Sequence, residues 1–140
     1  YLSPVMDLYN NEIVAWSVSK SANMAQTMEM LDGLEPLLQG PALLHSDQGW
    51  QHQQLSFQNR LERMGLVQSM SRKGNCIDNG ATEQVFGHMR DEFFRGRAWP
   101  DFESSKADLG ACVAHWNTGR RRVKLKGLTP EEFRNQPLAA

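Results

Sequence analysis

Two acidic residues stand where chemistry could be done. Asp47 follows the short apolar run Ala42–Ser46 and opens an Asp47-Gln48-Gly49 turn. A carboxylate there leaves the carboxyl end of a buried strand, the edge where ligand sites of open α/β sheets gather; the same residue can equally serve only to shape its turn. Glu83 falls in the first turn of a helix expected after a polar loop, where an acid also answers the helix dipole. On its helical face, Gly87 removes bulk and Arg90 offers a cation to a phosphate. Trp50, beside Asp47, can stack on a base or pack in the core. His45, His52, His88 and His115 with Cys76 and Cys112 show no CxxC or HExxH spacing, so no zinc site is expected. There is no GxSxG elbow, no phosphate-binding P-loop and no dinucleotide fingerprint.

The elements that would hold these residues follow from pattern. Leu2–Tyr9 and Glu12–Ser19 read as a hairpin about the turn pair Asn10-Asn11, with Pro4 marking an edge or a bulge. Ser21 or Asn23 caps a helix whose apolar face is Met24, Met28, Leu31, Leu34 and Leu38, with Pro36 near its end. Ala42–Ser46 is a buried strand. Gln51–Met64 is a helix stopped by Gly65, and Leu66–Ser69 is a strand. The polar segment Ser71–Asn75 leads through Asp78-Asn79-Gly80, where Asp78 and Asn79 set a turn and a cap, into a helix over about Ala81–Phe94. Phe86, Met89 and Phe93 are its expected stripe. Another helix runs over about Phe102–Thr118 with Leu109, Val113 and Trp116 inward. Trp16 and Trp99, like Trp116, read as core or interface packing. Thr129-Pro130-Glu131-Glu132 opens a last short helix: a threonine cap, proline at the first position and a reciprocating glutamate. Strands alternating with helices after a hairpin predict a mixed sheet covered by helices.

Composition sets the outer bounds. At 140 residues the chain is about one domain long, and 40% hydrophobic with 22% charged residues is ordinary for a globular domain. No apolar run approaches a membrane span, Tyr1-Leu2-Ser3-Pro4 is not a signal peptide, and no repeat is evident. The absent initiator Met points to an excerpt of a longer chain, and two cysteines favour a reducing cytoplasm. The net charge of −1 hides an asymmetry. Residues 1–70 carry three Lys/Arg against seven Asp/Glu (−4), whereas residues 71–140 carry twelve against nine (+3). Arg120, Arg121, Arg122, Lys124 and Lys126 crowd one acid-free stretch, a candidate phosphate-backbone contact or a solvated loop.

Five ordered blocks carry a resemblance: Tyr1–Asn10, His45-Ser46-Asp47-Gln48-Gly49-Trp50-Gln51, Gln68–Asn79, Glu83–Gly87 and Leu128–Phe133. In these the chain resembles the catalytic core of DDE transposases and retroviral-type integrases, specifically the IS3-family insertion-sequence transposases. The resemblance implies an α/β, RNase H-like mixed sheet flanked by helices. It implies a partial catalytic core over residues 1–118 and a basic tail with a short helix over residues 119–140. Three acids would hold two divalent ions, Mg²⁺ or Mn²⁺, for in-line phosphoryl transfer on DNA. Asp47 matches the second acid and Glu83 the third. The first belongs to a central strand upstream of Tyr1, which this chain lacks, and Asp7 sits in the wrong strand to replace it. By that resemblance the parent cleaves transposon ends and joins the freed 3′-OH to target DNA, as a homo-oligomer in the bacterial cytoplasm. The fragment alone would bind metal weakly and cut poorly. Arg72, Lys73 and Asn75, in the loop beside the site, are expected DNA contacts, as are Arg90 and the Arg120–Lys126 stretch. The missing strand predicts a gap between hairpin and Ala42–Ser46, or pairing of the exposed edge with another chain. Two alternatives stand beside this: a non-catalytic DNA-binding or assembly module, and a related RNase H-like nuclease.

Overall fold

The computed structural model describes residues 1–73 and 80–137. The elements run β1 (Leu2–Asp7), β2 (Glu12–Val18), α1 (Met24–Leu34), β3 (Ala42–Ser46), α2 (Leu55–Arg63), β4 (Leu66–Met70), α3 (Gly80–Met89), α4 (Phe102–Thr118) and α5 (Pro130–Arg134). Short 3-10 turns lie at Glu35–Leu37, Trp50–Gln53 and Val123–Leu125, and a π-helical turn occupies Arg90–Phe94. The chain divides into two compact units: residues 1–5 with 15–84, and residues 6–14 with 85–140. None of the described helices is long and apolar enough to cross a membrane.

The strands form two separate two-stranded sheets, β1–β2 and β3–β4. β1 and β2 are a hairpin: Tyr1 and Ser19 exchange backbone bonds of 2.8 and 2.9 Å at its open end. At the turn the Asn11 N–H donates to the Asp7 carbonyl at 2.7 Å, and Asn11 takes a φ of +59°, a conformation asparagine tolerates. β3 and β4 run parallel in the register Leu43↔Val67, Leu44↔Gln68, His45↔Ser69 and Ser46↔Met70. The expected separation of hairpin and Ala42–Ser46 strand is therefore present: β3 takes β4 as its neighbour, and the hairpin strands take each other.

In the first unit α2 lies against β4, with Phe57, Leu61 and Leu66 almost wholly buried; each such side chain contributes roughly 1.5–3 kcal/mol. Gly65 ends α2 with a φ of +75°, as its sequence position predicted. Ahead of α2, the expected single helix from Gln51 is broken into a 3-10 turn and a helix beginning at Leu55. Asn23 caps α1 by accepting from the Gln26 N–H at 2.9 Å. The buried face of α1 is Gln26, Thr27, Met30, Leu31 and Leu34; Leu31 and Leu34 are as expected, whereas Met24, Met28 and Leu38 are only half-buried. The inward turn of Gln26 has a polar cause. Gln26 donates to the Tyr1 and Ser17 carbonyls (2.9 and 3.2 Å), and the Ser17 hydroxyl donates to the Gln26 carbonyl at 2.8 Å. Arg60 of α2 then reaches Asp32 and Glu35 at 2.8 and 2.6 Å.

In the second unit Ile13, Val85, Met89, Phe93, Leu109, Val113, Trp116 and Leu125 form the core. The inward residues of α4 are those its periodicity predicted, and Asp101 caps it by accepting from the Ser104 N–H at 2.7 Å. Phe86 is only half-buried while Val85 is buried. A π-helical turn follows at Arg90–Phe94, and Met89 and Phe93 are buried as expected. Trp116 is buried as expected and donates to the Asn11 carbonyl at 2.9 Å, whereas Trp16 and Trp99 are half-buried. The α5 capping box forms in full: Thr129 accepts from the Glu132 N–H at 3.2 Å and Glu132 accepts from the Thr129 N–H at 2.9 Å.

Candidate active site

The parallel register fixes where Asp47 emerges. Ser46 is the last paired residue of β3, opposite Met70, and the Ser71 N–H donates to the Ser46 carbonyl at 2.9 Å. Asp47 and Ser71 thus leave the same carboxyl edge of the sheet side by side, and Gln48 ties them by donating to the Ser71 carbonyl at 3.1 Å. Arg72 and Lys73, both exposed, continue from that edge. The edge therefore carries one carboxylate followed closely by two cations, all within the first unit.

The Asp47 carboxylate is held at one oxygen. Its Oδ1 accepts from the Gly49 N–H at 2.8 Å and pairs with His52 Nδ1 at 2.8 Å, while the side chain stays 62% exposed. A Cβ at position 49 would stand 2.9 Å from Asp47 Oδ1, so a larger residue there makes that oxygen shift. Partial burial pushes the Asp47 carboxyl up, but the Gly49 N–H, the His52 bond and the charge of a protonated His52 outweigh it. The net result lies below the ordinary aspartate value. Asp47 thus shapes its turn through Oδ1 and still presents an anion to solvent.

Glu83 sits in the first turn of α3, exposed, and belongs to the same unit as Asp47. Asn75, with Cys76, Asp78 and Asn79, lies outside the described residues. Among the described residues no group of three or more His, Cys, Asp or Glu side chains could hold a metal ion. The two carboxylates fit a hard divalent cation in kind, and Asp47 Oδ2 has no donor among the described residues, but they are two where a closed site takes more oxygen ligands.

The remaining cations differ in their surroundings. Arg90 is exposed at the start of the π-helical turn. Arg120 pairs with Glu92 and lies 4.9 Å over the Trp116 ring. Arg121 forks onto Glu132 at 3.1 and 3.2 Å. Arg122 lies 4.7 Å over Trp116, with Nη1 buried and unpartnered among the described residues. Burial first, and then repulsion from Arg120, lowers its pKa. Lys124 and Lys126 are exposed on the turn that follows. Trp50 is half exposed in the 3-10 turn after Asp47, so it is not a core residue.

His52 was legible in the sequence only as a histidine without zinc spacing. Its contact with Asp47, five residues earlier, depends on the Asp-Gln-Gly turn running straight into a 3-10 turn.

The chain is 42% identical over 139 residues to an uncharacterized transposase-like protein of Haemophilus influenzae, covering 99% of this chain and 64% of that one. It is 43% identical over 138 residues to the putative transposase InsK for insertion sequence element IS150 of Escherichia coli, covering 97% and 49%. The chain thus spans about half to two-thirds of the length of these relatives. Among solved structures, the simian T-cell lymphotropic virus intasome superposes with a TM-score of 0.82 at 14% identity, over 99% of this chain and 49% of that one. The catalytic core domain of BIV integrase gives 0.72 at 17%, over 94% and 82%. At such identities these two show the fold, an RNase H-like integrase core. Residues 1–76 match one integrase core domain family and residues 83–138 match a second. With both halves of its length so matched, the chain belongs to the integrase core domain family.

Proposed function

We propose that this chain is the catalytic-core portion of a DDE transposase that cleaves transposon DNA ends and transfers the 3′-OH to target DNA. The observation that carries the reading is Asp47 at the carboxyl edge of the parallel β3–β4 pair, with Arg72 and Lys73 leaving the same edge. Asp47 and Glu83 are two of the carboxylates that would hold Mg²⁺ or Mn²⁺; a third acid comes from outside these residues. When bound, such ions stabilise the attacking and leaving oxygens of an in-line displacement at phosphorus. The chain's own part is to present Asp47 in one orientation, to offer Arg72, Lys73 and Arg90 to phosphates, and to add Lys124 and Lys126 as backbone contacts. Residues 1–118 supply the core and residues 119–140 the tail. The relatives' names, a transposase and an intasome, support DNA as partner and assembly of several copies.

In the full-length protein, Asp47→Asn and Glu83→Gln abolish strand cleavage and leave duplex binding largely intact; cleavage at the wild-type rate by either variant in Mg²⁺ defeats the assignment.

A second reading, a DNA-binding or assembly module without catalysis, is favoured by the exposed cations Lys124 and Lys126 of the tail. It requires salt-sensitive duplex binding with no nicking even when the upstream acid is present. A related RNase H-like nuclease would cut and yield no strand-transfer product.

A further inference from the structure

His52 is held on three sides. Gln68 of β4 donates its side-chain Nε2–H to the His52 carbonyl at 2.9 Å, fixing the backbone. The imidazole lies 5.2 Å from the ring of Phe57, centroid to centroid, and Phe57 is itself fully buried. The remaining edge of the ring presents Nδ1 to Asp47 Oδ1 at 2.8 Å. Because the partner is an ionised carboxylate, Nδ1 carries the proton and donates. The Gly49 N–H meets the same oxygen, so two donors converge on Oδ1 and none among the described residues meets Oδ2.

We infer that His52 is a positioning residue: it commits Asp47 Oδ1 within the protein, so that Asp47 meets a divalent cation through Oδ2 alone. The inference rests on the reading of Asp47 as a metal ligand given above. Its physical basis is that a carboxylate pinned at one oxygen by two donors loses its rotation about χ2 before the cation arrives. A cation that binds it therefore does not bear the cost of ordering it. The ring contact with Phe57 and the Gln68 bond extend that rigidity from the α2–β4 core to the carboxylate.

Two substitutions separate donation from packing. His52→Asn places an amide Nδ2–H where the imidazole Nδ1–H stands and removes the ring. His52→Phe keeps an aromatic ring against Phe57 and removes the donor. Mn²⁺ alone is the probe, titrated into this chain and followed by paramagnetic broadening of the backbone amide signals of residues 46–49. Thermal unfolding is measured in parallel. The expected result is Mn²⁺ affinity about tenfold or more lower in His52→Phe than in His52→Asn, with His52→Asn near wild type. The opposite order, or no difference between the two, overturns the inference.

Asp47→Asn is the arm that tests the underlying reading. Broadening unchanged by Asp47→Asn, or absent from the wild-type chain, removes Asp47 as a ligand whatever His52 does. A metal-free readout then judges the hold itself: long-range ¹H–¹⁵N correlations should show His52 as the Nδ1–H tautomer in the wild-type chain and no longer so in Asp47→Ala. The same tautomer in both overturns the hold.

Discussion

The guanidinium of Arg120 lies 4.9 Å above the ring of Trp116 and pairs with Glu92. The most basic stretch of the chain is therefore not a uniform fringe of charge. Arg120 and Arg122 stack on one buried tryptophan, Arg121 forks onto Glu132, and Lys124 and Lys126 stand clear on the exposed turn.

This division predicts unequal roles in DNA binding. Lys124→Gln and Lys126→Gln should each reduce the slope of log affinity against log salt by about one, because each removes a phosphate contact. Arg121→Gln should change it less. Fluorescence anisotropy with a labelled duplex across a salt series measures the slopes; equal reductions at all three positions would contradict the division.

The pairing of Glu92 also predicts an acid dependence. The Arg120 bond, set against a small cost of burial and helped by the charges of Arg120 and His88, holds the Glu92 carboxyl below its ordinary value. A carboxyl depressed in the folded state stabilises it fully above the unfolded pKa, and that contribution is lost as pH falls through the folded one. The Tm should therefore drop as pH falls below the ordinary glutamate range, and Arg120→Gln should flatten that part of the curve. Parallel curves for the two proteins would exclude Glu92 as a source.

Asn10 supplies a third test. It is fully buried, donates to the Pro130 carbonyl at 2.9 Å and to Glu12 at 3.1 Å, and accepts from the Glu12 N–H at 3.2 Å. Asn10→Ala removes those three bonds, leaving Glu12 only its pairing with Arg134, and should cost about 1–3 kcal/mol in urea unfolding. Asn11→Gly, at the neighbouring φ of +59°, should be nearly neutral. A loss below half a kcal/mol for Asn10→Ala would show that the network does not hold the turn to the start of α5.

Much of this fold could be read from local sequence. The threonine cap and proline of α5, the glycine after α2 and the inward residues of α4 are set by chemistry within a turn or two, and all stand where pattern placed them. Part of the face of α1 was misplaced for a non-local reason, while on α3 and the turn after it only Phe86 departs from the expected stripe. Gln26 and Thr27 turn inward because the hairpin offers Gln26 carbonyls. The position of Asp47 was legible because strand, acid and glycine are consecutive. The hold of His52 on it was not, since it needs the turn, Gln68 and Phe57 together. The arginines of the tail read as surface charge because nothing local reveals Trp116 beneath them.

Asp47 and Glu83 are proposed as ligands of one metal site, and a crystal of this chain grown with Mn²⁺ tests that most directly. The prediction is an anomalous peak bonded to Asp47 Oδ2 and to a Glu83 carboxylate oxygen, near the roughly 2.1 Å of Mg²⁺–oxygen bonds. Two carboxylates on separate surfaces, with the ion on one or neither, would contradict it.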